Sequence, residues 1–325
     1  MKKVAVVTGG YSEETQVAVK SAETVMSNLD PTKYDCTLVH IDKTGWWASV
    51  DGERKSVSKH DFTLPQGDGR LVFDMAFIVI HGPPGEDGKL QAYFDMINLP
   101  YSTAGHVAST LAFNKFTCNT FLKQCGIDSA PSVAVYKGRS YDSNAIIETT
   151  GLPCFVKPSD GGSSFGISKV SQAEEIDRAI SHAFEHGSEV IVEGFLDGVE
   201  VTCGIIERNG ELTALPLTEI VSENEFFDFE AKYLGQSQEI TPARVSDSLT
   251  QKVQEIAKNV FRTMNLRHLA RIDFIVVGDR PYMIEANTIP GLSAESLIPQ
   301  MAASANLPLS ELFGGMVENV LATNA

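Results

Sequence analysis

The chain has 325 residues, 43% of them hydrophobic, enough to bury a large core and to divide into two or three domains. Lys and Arg number 26 against 42 for Asp and Glu, and the net charge of −16 argues against a general role on nucleic-acid phosphate or anionic membrane. Small molecules or other proteins are the expected partners, and the five cysteines, odd in number and never in a Cys-x-x-Cys pair, indicate free thiols of a reducing cytosol rather than a zinc site or disulfide framework.

In chain order, KVAVVT reads as a buried strand, GGYS as a break, and Ala18, Ser21, Ala22, Val25, Met26 and Leu29 as one helical face with Ser12 as its N-cap. The apolar stretch of MKKVAVV meets TGG too soon for a signal-peptide core, and no run approaches a membrane span. DCTLVHID (35–42) and MAFIVIHG (75–82) are two further strands, so a Rossmann-like α/β layer covers roughly the first hundred residues, with ligands expected at strand ends. A single helix is predicted from about Val107 to Cys125. CFVKPSDGGSSFGISKV and SEVIVEGFLDGVEVTCGIIE then alternate short β-runs with turns around a helix near 172–186, an α+β segment. From about Leu212 a third segment carries the loop SENEFFDFEAKYLGQSQEITPA, a helix from about Leu249 to Met264, a hairpin and a terminal helix.

That hairpin is ARIDFIVVGDRPYMIEANT (270–288). With Gly278, Asp279 and Arg280 as its loop, antiparallel pairing sets Asp273 opposite Glu285 and Arg271 opposite Asn287, all four on one face. Two facing acids repel, unless a hard cation that prefers oxygen ligands sits between them. The alternative is an exposed polar sheet face with ordinary surface acids. Earlier, KPSDGGSSFG (157–166) follows a strand and offers backbone N–H groups and hydroxyls that suit phosphate oxygens. It lacks the Gly-Lys-Ser/Thr of a Walker loop, and GGYSEE lacks a dinucleotide fingerprint. A Gly/Ser-rich turn alone is equally a plain hairpin. Lys157 at the loop mouth and Lys115 on the preceding helix add the cations that favour the phosphate reading.

The order HGPPGEDG, NK, FVKPSDGGSSFGISKV, VEGFLDGVEVT, EAKY, RIDF, EANTIPGLSAESLIP resembles the D-alanine–D-alanine ligase family of ATP-grasp enzymes, from the first strand to about Pro299. The resemblance implies an ATP-grasp fold of α/β and α+β units: a Rossmann-like unit for the first D-alanine (1–104), a central unit (105–193) and a C-terminal catalytic unit (194–325). It implies a cytoplasmic homodimer that joins two D-alanines through an acyl phosphate for peptidoglycan precursor synthesis. ATP is the co-substrate, with two magnesium ions for which manganese can substitute. Asp273, Glu285 and Asn287 match the magnesium ligands. Lys115, Lys157 and Ser164 match the phosphate-binding groups, Glu193, Phe195 and Leu196 the adenine linker, and Glu200 the ribose-binding glutamate. Glu14 matches the partner of the first substrate's ammonium group, His81 and Glu86 line the same pocket, and Ser163 and Tyr233 link Glu14 to a lid from about Ser222 to Thr241. Lys232, Ser296 and Leu297 match positions around the second D-alanine, and Arg271 with the Gly291 backbone matches the oxyanion stabilisers.

The chain departs from the family's pattern at Gly194-Phe195, where Lys-Trp is common, at Phe227 and Phe229, where tyrosines are common, and at Asn114 and Glu295. The first should matter little where the linker presents main-chain groups to adenine, and the others put substrate affinity rather than the reaction in question. The rival readings are a D-lactate or D-serine ligase and a nucleotide-binding module without catalysis.

Overall fold

The protein was analysed as a computed structural model, which describes residues 1–12, 14–50, 52–161, 166–208, 210–222 and 237–323. Its first sheet grows from β1 (Lys2–Gly9), which α1 (Thr15–Asn28) connects to the parallel strand β2 (Tyr34–Asp42). The chain then adds β3 (Gly45–Val50) and β4 (Glu53–Ser56) antiparallel at one edge, makes a small hairpin of β5 (Leu64–Gln66) and β6 (Gly69–Leu71), and returns as β7 (Met75–Ile78), parallel to β1 on its other side. The order is β4-β3-β2-β1-β7. As the central parallel strand, β1 is covered on both faces, which is why Val4, Ala5, Val6 and Val7 are all fully buried and read as a continuous apolar run.

Because β1 and β7 are parallel neighbours, the loops that leave their C-terminal ends meet. The Tyr11 N–H donates to the Pro83 carbonyl at 2.9 Å, and the Ser12 hydroxyl donates to the His81 carbonyl at 2.9 Å. That use of Ser12 corrects its predicted role: Glu14 is the N-cap of α1, and Ser12 ties the two loops together.

The predicted helix from Val107 to Cys125 is also corrected. After α2 (Lys89–Met96) the chain forms α3 (His106–Phe113) and α4 (Lys115–Gln124), broken at Asn114, whose backbone is extended (φ −92, ψ 108). Asn114 caps α4 by accepting from the Thr117 N–H at 2.8 Å, a preferred use of asparagine, and accepts from the Ser159 hydroxyl at 3.1 Å. The break thereby docks the first turn of α4 against the mouth of the glycine-rich loop.

The second sheet is antiparallel, in the order β10-β9-β11-β8. It contains β8 (Ser132–Tyr136), β9 (Cys154–Pro158), β10 (Ser168–Val170) and β11 (Glu189–Gly194), covered by α5 (Ser143–Thr150) and α6 (Ile176–Ala183). In the third sheet, β12 (Val199–Arg208) pairs with β13 (Glu211–Ala214) and β14 (Thr218–Ser222) on one side, and β15 (Ser237–Ile240) follows β14. On the other side lie β16 (Leu269–Val277) and β17 (Arg280–Asn287). The run after Gly198 therefore belongs to this sheet, not to the middle segment with which its strand-turn pattern had grouped it.

Helix α7 (Asp247–Thr263) packs Val253, Ala257, Val260 and Phe261 under the third sheet against Ile272 and Phe274. Each of the larger side chains among them contributes roughly 1.5–3 kcal/mol on burial. After α8 (Leu297–Ser304), α9 (Leu309–Thr323) places Leu312, Phe313 and Met316 against Val4, Val6 and Phe77 of the first sheet, so the C-terminal helix clamps the two ends of the chain together. All five cysteines are unpaired. Among the described residues no helix is long and apolar enough to cross a membrane.

The β16–β17 hairpin has the predicted pairing by an unpredicted route. Arg271 faces Asn287 and Asp273 faces Glu285, but the loop holds only Gly278 and Asp279, because Val277 pairs with Arg280. A register shift after Asp273 absorbs the extra residue, Ile284, and restores the acid pair.

Candidate active site

A cleft of about 1190 Å³ runs between the sheets and takes its walls from all three. The polar face of the β16–β17 hairpin forms part of its floor. Ile272, Phe274 and Ala286 turn into the core, so Arg271, Asp273, Glu285 and Asn287 turn into the cleft. Asp273 is 8% exposed and fully engaged. Arg271 donates from Nε and Nη2 to its two oxygens at 2.9 and 2.8 Å, Asn287 Nδ2 donates at 2.9 Å, and the buried Thr202 hydroxyl makes a short bond to Oδ1. Burial acts against the Arg271 charge, but Asp273 and then Glu285 and Glu86 outweigh it and hold its pKa above the usual guanidinium range. Two carboxylates and a carboxamide make an oxygen-rich donor set of the kind that suits a hard divalent cation.

The cations stand opposite. Lys115, the first residue of α4, reaches the Gly161 carbonyl at 2.8 Å and the Glu285 carboxylate at 3.3 Å. Lys157, at the end of β9, pairs with Glu193 at 2.5 Å, their side chains 11% and 9% exposed. Burial disfavours the Lys157 ammonium, yet Glu193, Glu285 and Glu200 raise its pKa above the lysine norm. The second oxygen of Glu193 accepts from Asn119 Nδ2 at 3.1 Å. Of the expected linker, Glu193 and Leu196 line the cleft with Glu200, whereas Phe195 lies against Phe155 with ring centroids 6.0 Å apart. The Gly194 and Phe195 N–H groups bond the Pro131 and Pro153 carbonyls.

At the other end, the joined loops of β1 and β7 bring Glu14, His81 and Glu86 to the cleft. The Gly82 N–H donates to Glu86 at 2.8 Å. Burial, then the charge of Glu14, raises the Glu86 pKa to about 8 despite that bond. Burial lowers the His81 pKa, opposed by Glu14 and by a bond to the Ile289 backbone. His81 Nε2 is buried without a hydrogen-bond partner among the described residues. Past β17, Gly291 approaches Ser296 so closely that a Cβ there would lie 2.7 Å from its hydroxyl. Ser296 stands at the N-cap position of α8, its hydroxyl bonded to that of Ser293 at 2.7 Å, and with Leu297, the first residue of the helix, it lines the cleft, so that the helix N-terminus is a favourable place for a carboxylate. Ser163, Ser164, Lys232 and Tyr233, with Phe227 and Phe229 and most of the predicted lid, lie outside the described residues.

Residues 3–104 match the family model described as "D-ala D-ala ligase N-terminus" and residues 121–318 match "D-ala D-ala ligase C-terminus". The chain belongs to the D-alanine–D-alanine ligase family. The ligase of Flavobacterium johnsoniae is 46% identical over 323 residues, covering 99% of this chain and 100% of that protein. Among solved structures, the VanG D-Ala:D-Ser ligase from Enterococcus faecalis superposes with a TM-score of 0.87 at 29% identity, covering 98% of each chain. The Bacillus anthracis D-alanine–D-alanine ligase complexed with ATP gives 0.80 at 26% identity, covering 100% of this chain and 99% of that one. The fold is thus the ATP-grasp fold that the motifs implied, over its full length.

Two groups around the site went unread in the sequence: Asn119, which bonds Glu193 from outside the cleft lining, and Thr202 in the cleft wall. Asn119 carries no motif, but it stands one helical turn after Lys115 and shares the buried face of α4 with Cys118 and Leu122, where a polar residue requires a partner. Thr202 lies opposite Asp273 in the β12–β16 register, a relation visible only once those strands are paired.

Proposed function

We propose that this chain activates one D-alanine with ATP and couples it to a second, forming D-alanyl-D-alanine for cell-wall precursor synthesis. The observation that carries the reading is the single cleft in which Lys115 and Lys157 face the Asp273–Glu285–Asn287 set, with Glu14, His81 and Glu86 at one end and the Ser296 helix start nearby.

A carboxylate resists amine attack because its leaving group would be oxide. ATP transfers its γ-phosphoryl group to the first D-alanine's carboxylate, releasing ADP and leaving an acyl phosphate whose leaving group is phosphate. Lys115 and Lys157 hold the phosphates, and Glu193 and Glu200 take the nucleoside. Asp273, Glu285 and Asn287 would hold magnesium, which would offset phosphate charge. Glu14 receives the first ammonium group, while the His81 ring, short of one partner, faces the same substrate. The neutral amine of the second D-alanine attacks the acyl carbon, loses a proton and expels phosphate, while Arg271 and the Gly291 N–H stabilise the oxyanion. Ser296 and Leu297 at the start of α8 hold the second carboxylate, joined by Lys232. Tyr233 and Ser163 link the lid to Glu14, which keeps water from the acyl phosphate.

The test measures ADP release with and without D-alanine, then offers D-alanine together with D-lactate or D-serine from mildly acid to mildly alkaline pH and quantifies each product. Dipeptide should dominate at and above neutral pH. ADP release indifferent to D-alanine would leave a nucleotide-binding module without ligation, and dominant depsipeptide or D-seryl product would reassign the acceptor.

The same reading divides the chain into units 1–104, 105–193 and 194–325 and makes it a cytoplasmic homodimer paired through the first. Met96 and Val107 are 83% and 69% exposed beside that unit, although Ala108 and Ala112 of the same helix as Val107 turn into the core. Light scattering that returns the 35.3 kDa mass of one chain would overturn the pairing.

A further inference from the structure

Helix α6 runs out in the sequence His-Ala-Phe-Glu-His, residues 182–186. His182 lies in its last turn, and Glu185 and His186 follow on the turn beyond. One ligand atom from each of these three side chains lies within 4.8 Å of the other two, and all three are exposed. His182 Nδ1 is 3.5 Å from the Glu185 carboxylate. The two imidazoles stand edge to face with centroids 5.5 Å apart. The cause is spacing: residues three and four apart share one face of a helical turn. Among the described residues this is the one group of three His, Cys, Asp or Glu side chains whose ligand atoms converge in this way.

We propose that His182, Glu185 and His186 form a second metal site, for a borderline divalent transition ion of the zinc class, separate from the oxygen ligands of the hairpin. Two imidazole nitrogens and one carboxylate oxygen suit zinc, whereas magnesium and calcium prefer oxygen alone. Three protein ligands leave the fourth tetrahedral position to water. Tetrahedral bonds of about 2.0–2.1 Å set ligand atoms about 3.3 Å apart, and the His182–Glu185 pair already has nearly that spacing. Side-chain rotation at an exposed helix end closes the remainder.

The position gives the site its interest. His186 lines the same cleft as Lys157, and a Cβ on Gly166 would come within 2.7 Å of its ring. Gly166 is where the chain leaves the glycine-rich loop, so an ion held here sits on the cleft wall beside that loop.

The test titrates the full chain with zinc chloride by isothermal calorimetry while magnesium is kept saturating, so that the hairpin acids are occupied. One zinc per chain is expected. His182→Ala and His186→Ala should each weaken it by at least about 10–100-fold, since losing a ligand costs no less than losing a group that merely supports one. Asp273→Asn should bind zinc as the unmodified chain does. Circular dichroism of the metal-free variants checks folding, and His186→Gln keeps the volume beside Gly166 if the alanine variant misfolds. Equal zinc affinity in the histidine variants, zinc lost only in Asp273→Asn, or no zinc bound at all would each overturn the proposal.

Discussion

The pairing of Lys157 with Glu193 permits a quantitative test of how the cleft is held before any nucleotide arrives. Both side chains are about nine-tenths buried and 2.5 Å apart, so removing either leaves the other charge in the interior without its partner. Breaking a buried pair from one side costs about 3–5 kcal/mol, whereas removing both charges can be nearly neutral. Lys157→Met and Glu193→Gln should therefore each destabilise β9 and β11 by about 3–5 kcal/mol. The double variant should fall well short of their sum, because it leaves neither charge in the interior unpaired, and the amide oxygen that Glu193→Gln introduces would still accept from Asn119. Neutral pH is the right condition. The Lys157 pKa is raised on folding, so its contribution is complete below the ordinary lysine value and is lost only as pH climbs through the higher folded one. Amide exchange on β9 and β11, where Lys157 pairs with Ile191, reads this locally and without nucleotide. Additive single effects would show that the two charges do not depend on each other and would refute the reasoning.

Asp273→Ala should lower turnover by about 10²–10³-fold with magnesium titrated, the usual scale for removing one charge-stabilising group; full activity would remove Asp273 from the metal set. Asn119→Ala deletes a hydrogen bond to a carboxylate, about 1.5–3 kcal/mol, and should raise the KM for ATP about tenfold or more with kcat nearly unchanged; an equal fall in kcat with constant KM would contradict it. Folded Glu86 keeps its proton up to about 8, against an ordinary value of 4.5, so its contribution is complete at acid pH and is lost as pH rises through about 8. The Tm of the unliganded chain should fall relative to Glu86→Gln across that window, and parallel profiles would count against the shift. A Cβ on Gly85 would lie 2.2 Å from the Ile80 carbonyl, so Gly85→Ala should lower Tm and raise the KM for D-alanine more than that for ATP; unchanged values would mean that the loop does not set the pocket.

Legibility in the sequence followed the strength of local periodicity. β1, β2 and α7 were read because buried strands and amphipathic helices impose their patterns on every residue. The break at Asn114 was missed for the opposite reason. The apolar spacing of α3 and α4 runs across it almost unchanged, and an asparagine inside such a run looks tolerated until its cap bond to Thr117 is seen. β3 and β4 form the edge of the first sheet, where the half-exposed Trp46 and Trp47 and the exposed Arg54 give no clean alternation, so they went unread.

The hairpin explains why a functional face can be read correctly from a loop that was counted wrongly. A two-residue loop without compensation would have paired Asp273 with Ile284 and turned the acids apart. Burial opposes that outcome: Ile272, Phe274, Met283 and Ala286 all belong to the core, and no unbroken alternation can bury both Met283 and Ala286 on one strand. The strand must gain a residue between them, and the shift beside Ile284 supplies it. The apolar side chains thus dictate the bulge, and the bulge returns Glu285 to Asp273. What periodicity cannot dictate is which distant group completes a charged residue. Thr202 reaches Asp273 from a strand some seventy residues earlier, and Asn119 reaches Glu193 from a helix in another layer. Those partners answer a requirement that buried polar atoms be satisfied, and only the assembled fold decides which neighbour meets it.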